Sequence, residues 1–389
     1  MANLDFYRSK VAELKLRLQW IKDSVNGKNN GHNEIERWIH EQVNEFEAKI
    51  ALMELIVQRG NAAYLPRLRT DNILLERGLL CVSNYVGLFL REGEYEREFS
   101  SVIQRLYDES GLPLTDFLIA FTTILNGPGV SVGNPSLPIF YVRDESLVSA
   151  YSWLGLFHEM GHTAVRHDRT RIIEPLVQIV REHHNRERAA IGPVDPQTRK
   201  KLEDALNESE KYWTEGYNDI RLEELFCDCF AVYCCGLAYL YSWLDFGVGF
   251  EDRPKFINLC DEHPPFSARF EACWYVLSEE LKTSDHGKRL SEIWDDYNRS
   301  YSGESNPDME YGTACHERLI KKLAEKSHDL IRAHWPSLPL YKEQPDDSLQ
   351  KDMGNQSLAA DLNSLIAVLF FHPQEYPLFE EKLKKEIMN

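Results

Sequence analysis

His158, Glu159 and His162, within the run His158-Glu159-Met160-Gly161-His162, are residue types that bind metal and move protons. On a helix, positions four apart lie on one face about 6 Å along the axis, so both imidazoles can reach a single tetrahedral ion, for which zinc is the natural choice. Glu159, one residue round from the first ligand, suits a carboxylate that takes a proton from the attacking water instead of binding the metal. Tyr151, Trp153, Leu154, Leu156 and Phe157 precede the run and Ala164 and Val165 follow it. These apolar flanks predict a substantially buried helix, in which two histidines and a glutamate need partners. Gly161 costs about 1 kcal/mol in a helix interior relative to alanine, which makes sense where another backbone approaches closely.

A catalytic zinc requires a third protein ligand and an open position. In RLEELFCDCF, Glu224 and Asp228 again stand four apart. Glu224 is the expected third ligand, and Asp228, one turn on and flanked by Phe226, Cys227, Cys229 and Phe230, is placed to accept the free ring N–H of a ligand histidine. Glu223 is an alternative ligand, and the Glu223-Glu224 pair also reads as a solvated start to an apolar helix. A local rival is Asp168, six residues after His162, although Val165 stands where a glycine would let the chain turn back to the metal. His167, His183 and His184 lie among arginines and glutamates and read as exposed. Further on, His263 precedes Pro264 and Pro265, which stiffen the backbone, and Arg269 follows. A histidine held this way can steady the oxyanion formed when water adds to a carbonyl; it also reads as an incidental residue in a helix-entry turn.

Several elements must position these residues. Apolar spacing over 4–22 and 34–59, separated by NGKNNGHN, predicts two helices in an antiparallel hairpin. The second carries the stripe Ile35, Trp38, Ile39, Val43, Phe46, Ile50, Met53 and Ile56 or Val57, read as a packing face, with a partner-binding surface as the alternative. Helical patterns continue from Tyr64 to Gly111. The breaker-rich LNGPGVSVGNPSLP then leads to Ile139–Val142, a β-prone run. Helix returns from Glu145 to about His167, an excursion carries Pro193 and Pro196, and helices are expected over 218–244, 266–281 and 358–371. The fold class expected is α+β, predominantly helical, with a small β-sheet. The expected domains are an N-terminal helical hairpin over 1–64, a catalytic domain over 65–340 and a C-terminal helical extension over 341–389.

Composition sets the surroundings. The 389 residues carry 44 Lys and Arg against 62 Asp and Glu, a formal charge of −18, which repels phosphate backbones and anionic membranes. The cationic patch Arg166, His167, Arg169 and Arg171 has no interleaved aromatics of the kind that stack single-stranded bases. No nucleic-acid partner is expected. The first twenty residues mix charge into every turn, unlike a signal peptide, and the most apolar segment, 230–244, is shorter than the roughly 20 residues a bilayer requires. A cytoplasmic location without a membrane span is expected. The eight cysteines, at 81, 227, 229, 234, 235, 260, 273 and 315, contain no CxxC and read as reduced core residues.

HEMGH, then Glu224 and Asp228 as ExxxD, then HPPFSAR, in that order, resembles the gluzincin metallopeptidases, and the trio is similar to the CAAX prenyl-protease and heat-shock peptidase group. The resemblance covers roughly residues 138–275. It implies a zincin-like catalytic domain, zinc on His158, His162 and Glu224, catalysis by Glu159, support by Asp228, site contributions from His263 and Arg269, and an edge strand at Ile139–Val142 along which a peptide substrate lies extended. The chain departs from that group in having no membrane spans and a long charged stretch between His162 and Glu224. The expected function is zinc-dependent peptide hydrolysis on a peptide or protein substrate. A non-catalytic interaction protein with a structural zinc site is the alternative.

Overall fold

The structure is a computed structural model, described here for residues 2–25, 33–60, 62–64, scattered positions from 66 to 86, 94–112, 117–122, 129–131, 139–143, 154–215, 219–250, 255, 257, 263–300, 314–336 and 338. The chain forms two compact units, one of residues 1–100, 114–122 and 130–142 and the other of 101–113, 123–129 and 143–389. In the first, α1 (Ala2–Val25) and α2 (Asn33–Arg59) pack together as the expected hairpin. Val11, Leu14, Leu18, Ile21 and Val25 recur every three or four residues and bury against Ile39, Val43, Phe46, Ile50, Met53 and Val57. Lys15 and Lys22 reach Glu54 and Glu47 along the seam. From Trp38 to Val57 the stripe on α2 is thus spent on its own core.

The next helix, α3 (Glu94–Ser110), stops at Gly111, whose φ of +69° ends the helical run. Three short strands follow, β1 (Leu118–Thr122), β2 (Gly129–Ser131) and β3 (Ile139–Arg143), paired in the order β1-β3-β2. Two expectations are corrected here. The described part is 89% helical, so the α+β zincin-like class with a β-sheet does not hold. Strands of five, three and five residues do not make a layer, and helix–helix packing supplies the core that a sheet would otherwise build. The run Ile139–Val142 is also no edge: β3 has a neighbour on each side, so its backbone groups serve the existing pairs.

The second unit is built around one helix. Its elements are α4 (Leu154–His167), α5 (Arg169–Ala190), α6 (Pro196–Thr214), α7 (Asp219–Cys235), α8 (Leu237–Phe250), α9 (Phe266–Val276), α10 (Glu279–Thr283), α11 (Asp285–Ser300) and α12 (Glu317–His334). α7 packs against α4, α5, α6, α8, α9 and α12. All its residues from Arg221 to Cys235 are buried, the charged Arg221, Glu223, Glu224 and Asp228 among them, so these need partners inside the unit. The cysteines at 227, 229, 234, 235, 273 and 315 are buried and unpaired. The single helix expected over 218–244 is broken at Gly236, where φ is +55°. α5 and α6 form the excursion between the motifs, and Asp195 caps α6 by accepting from the N–H groups of Gln197 and Thr198, with Pro196 in the first turn.

Among the described residues, no helix is long and apolar enough to cross a membrane. The C-terminal extension over 341–389, the helix expected at 358–371, and Tyr151, Trp153, Cys81 and Cys260 lie outside the described residues.

Candidate metal centre

α4 and α7 cross at Gly161. A Cβ placed there would lie 2.8 Å from the Cα of Cys227 and 3.1 Å from its Sγ, so only glycine lets the two backbones meet this closely. The close crossing brings three ligand atoms, one each from His158, His162 and Glu224, within 4.8 Å of one another. His158 Nε2 stands 3.2 Å from Glu224 Oε2, and His162 Nε2 3.3 Å from Glu224 Oε1. Asp168 is not in this group; it sits between α4 and α5, with Oδ2 3.4 Å from Arg171.

The opposite ring nitrogens are already engaged. His158 Nδ1 is 2.9 Å from Asp228 Oδ1, and His162 Nδ1 is 2.9 Å from Glu223 Oε1. A carboxylate can only accept, so each Nδ1 carries a proton, and in the neutral ring each Nε2 is left with a lone pair. With both rings neutral, two lone pairs face the Glu224 carboxylate, and three acceptors converge on one point. Protons or a cation can satisfy such an arrangement. Glu224 Oε2 is buried and makes no hydrogen bond, so the donor set fits a divalent ion that prefers nitrogen and carboxylate oxygen.

Without an ion, the same groups take up the charge themselves. Burial pulls the His158 imidazole down, but Asp228 and Glu224 outweigh it and raise the group to about 9. Burial pushes the Glu224 carboxyl up, while His158 and His162 hold it well below the usual carboxylate range.

Asp228 is fully buried and accepts three donors besides the His158 ring: Arg269 Nε at 2.6 Å, Arg269 Nη2 at 2.9 Å and the Tyr239 hydroxyl at 2.9 Å. Burial would raise its carboxyl, yet Arg269 and His158 hold it at about 2. The Arg269 guanidinium also lies 3.7 Å from Glu224 Oε2 and 5.0 Å from the Trp243 ring, itself stacked on Phe266. Glu159 is 7% exposed, and burial, its largest influence, raises its carboxyl. His263 is half-exposed, with Nε2 3.5 Å from Glu224 Oε2, immediately ahead of the proline pair that opens α9. Thr163 donates to the Glu159 carbonyl and receives the Tyr107 hydroxyl at 2.7 Å.

Sequence reasoning missed Tyr239, which comes back to Asp228 from the far side of Gly236, and the contacts of Glu223 with His162 and Arg169. No spacing rule leads across a helix break, and Glu223, read as an alternative ligand or as part of a solvated helix start, is instead buried against the His162 ring. His183 and His184, expected on the surface, are 4% and 0% exposed. His184 Nδ1 donates to the Val180 carbonyl and Nε2 accepts from Ser209 of α6, so the α5–α6 contact supplies the cover that flanking charges concealed.

Comparison with family models finds no match for this chain, and neither curated proteins nor solved structures yield one.

Proposed function

We propose that the chain is a zinc-dependent peptidase whose ion is held by His158, His162 and Glu224. The observation that carries the reading is the convergence of three acceptor atoms within 4.8 Å, with a buried carboxyl on the residue after the first histidine. An ion held there supplies Lewis acidity, polarising the scissile carbonyl and easing deprotonation of water. Glu159 takes that proton, a task suited by a carboxyl whose basicity burial has raised, and returns it to the leaving amine. His263, half-exposed beside Glu224, steadies the negative charge that develops on the carbonyl oxygen. Asp228 and Arg269 keep His158 in its Nδ1-protonated form and facing the centre. The substrate is a peptide or protein.

The test uses the purified full chain and a proteome-derived peptide library, with new termini read by mass spectrometry. Glu159→Gln is expected to abolish cleavage while keeping stoichiometric zinc; substantial retained cleavage would sink the mechanism. Zinc content should fall in Glu224→Ala and stay in Asp168→Ala, and the reverse pattern would move the third ligand to Asp168. A stoichiometric zinc that no hydroxamate chelator can reach would favour a structural site instead.

A further inference from the structure

Both ligand histidines stand on a carboxylate that is itself held by an arginine. For His158 these are Asp228 and Arg269. For His162 they are Glu223, whose Oε1 meets the ring at 2.9 Å, and Arg169, whose Nη1 donates to Glu223 Oε2 while Nη2 donates to Asp219 Oδ2 at 2.9 Å. Asp219 and Glu223 lie one turn apart on α7, and Arg169 is the first residue of α5, so a single guanidinium spans both carboxylates from the neighbouring helix. Glu223 is 7% exposed.

Resting on the metal-centre reading above, we propose that Glu223 and Arg169 are positioning residues for His162, and that Arg169 keeps Glu223 from becoming a fourth protein ligand. Glu223 adjoins Glu224 in sequence and carries a full negative charge beside a site built for a dication. Released from Arg169, it is drawn towards the ion, and a fourth protein ligand closes the position that an attacking water needs. Held by one arm of a guanidinium whose other arm is fixed on Asp219, it accepts the Nδ1 proton of His162 and leaves Nε2 free.

The experiment loads the full chain with cobalt(II), whose visible absorption reports coordination number and ligand set, and measures cobalt affinity by chelator competition alongside binding of a hydroxamate. Wild type is expected to give the spectrum of an ion with an open position. Glu223→Gln, which removes the charge at almost constant volume, should weaken cobalt binding about tenfold, the scale of such outer contacts. Arg169→Met should shift the spectrum and lower hydroxamate affinity at least about tenfold, and the double variant Arg169→Met/Glu223→Gln should recover the wild-type spectrum. A pair that merely braces the fold would lower the melting temperature and leave spectrum, cobalt affinity and hydroxamate binding unmoved, and that result overturns the proposal. If Arg169→Met fails to fold, Glu223→Gln decides by itself. Wild type that binds neither cobalt nor zinc overturns the metal-centre reading as well, which separates the two failures.

Discussion

Asp228 gathers the His158 ring, two N–H groups on one edge of the Arg269 guanidinium and the Tyr239 hydroxyl onto one carboxylate with no exposure to solvent. Asp228→Asn therefore turns one of its two acceptors into a donor facing the guanidinium and leaves the buried cation with only the Glu224 carboxylate at 3.7 Å. Breaking a buried pair in this way costs about 3 kcal/mol or more. The expected outcome is a loss of that size in urea unfolding of the metal-free protein, with weaker zinc retention besides. A change under about 1 kcal/mol, the range of an exposed pair, would show that the network contributes little. At this scale the sequence was largely readable. Helical spacing pairs His158 with His162 and Glu224 with Asp228, because positions four apart share a face, and the first two and Glu224 do come together; Arg269 rested on the motif resemblance. Glu223 and Tyr239 do not, because their roles arise only when α7 meets α4 and when the chain turns at Gly236.

The α4–α7 crossing is the element on which the centre depends. An alanine at position 161 would drive its Cβ into the backbone of Cys227, so α4 must move away from α7 and carry both histidines with it. Overpacking of this kind costs about 1–3 kcal/mol. Gly161→Ala is expected to lower the melting temperature and the zinc content together. Because the nearest atom is a Cα, Cys227→Ala in the same chain should restore neither; full rescue would place the clash at the thiol instead. The close approach was legible from the cost of a glycine in a helix interior, whereas its partner was not. The strand expected at Ile139–Val142 formed, but its reading as an edge failed, because a β-prone run of four residues says nothing about how many neighbours it acquires, and β3 acquired two.

Across the second unit, the histidines that sequence placed on the surface give it an acid-sensitive seam. Burial, with the neighbouring His184 and His316, lowers His183 to about 4, and burial also lowers His184. Both are neutral in the folded chain, whereas the unfolded chain binds protons at about 6.5. Stability from these groups is thus complete above pH 6.5 and lost as the pH falls towards 4. Urea midpoints measured across that window should decline, and His183→Gln should flatten the decline; an unchanged slope would remove His183 as a cause. The pairing of α1 with α2 was foreshadowed by apolar spacing, but long-range burial of polar residues such as His184 depends on which helix returns to cover them. The excursion between the two motifs fastens itself: Ser209 meets His184, and Arg188 reaches both Asn207 and Glu210. Its tip, Gly192 to Asp195, is exposed and is crossed by neither motif. A protease that cuts at that tip leaves His162 and Glu224 on separate fragments, whose only link is then the packing of α4 and α5 against α6 and α7.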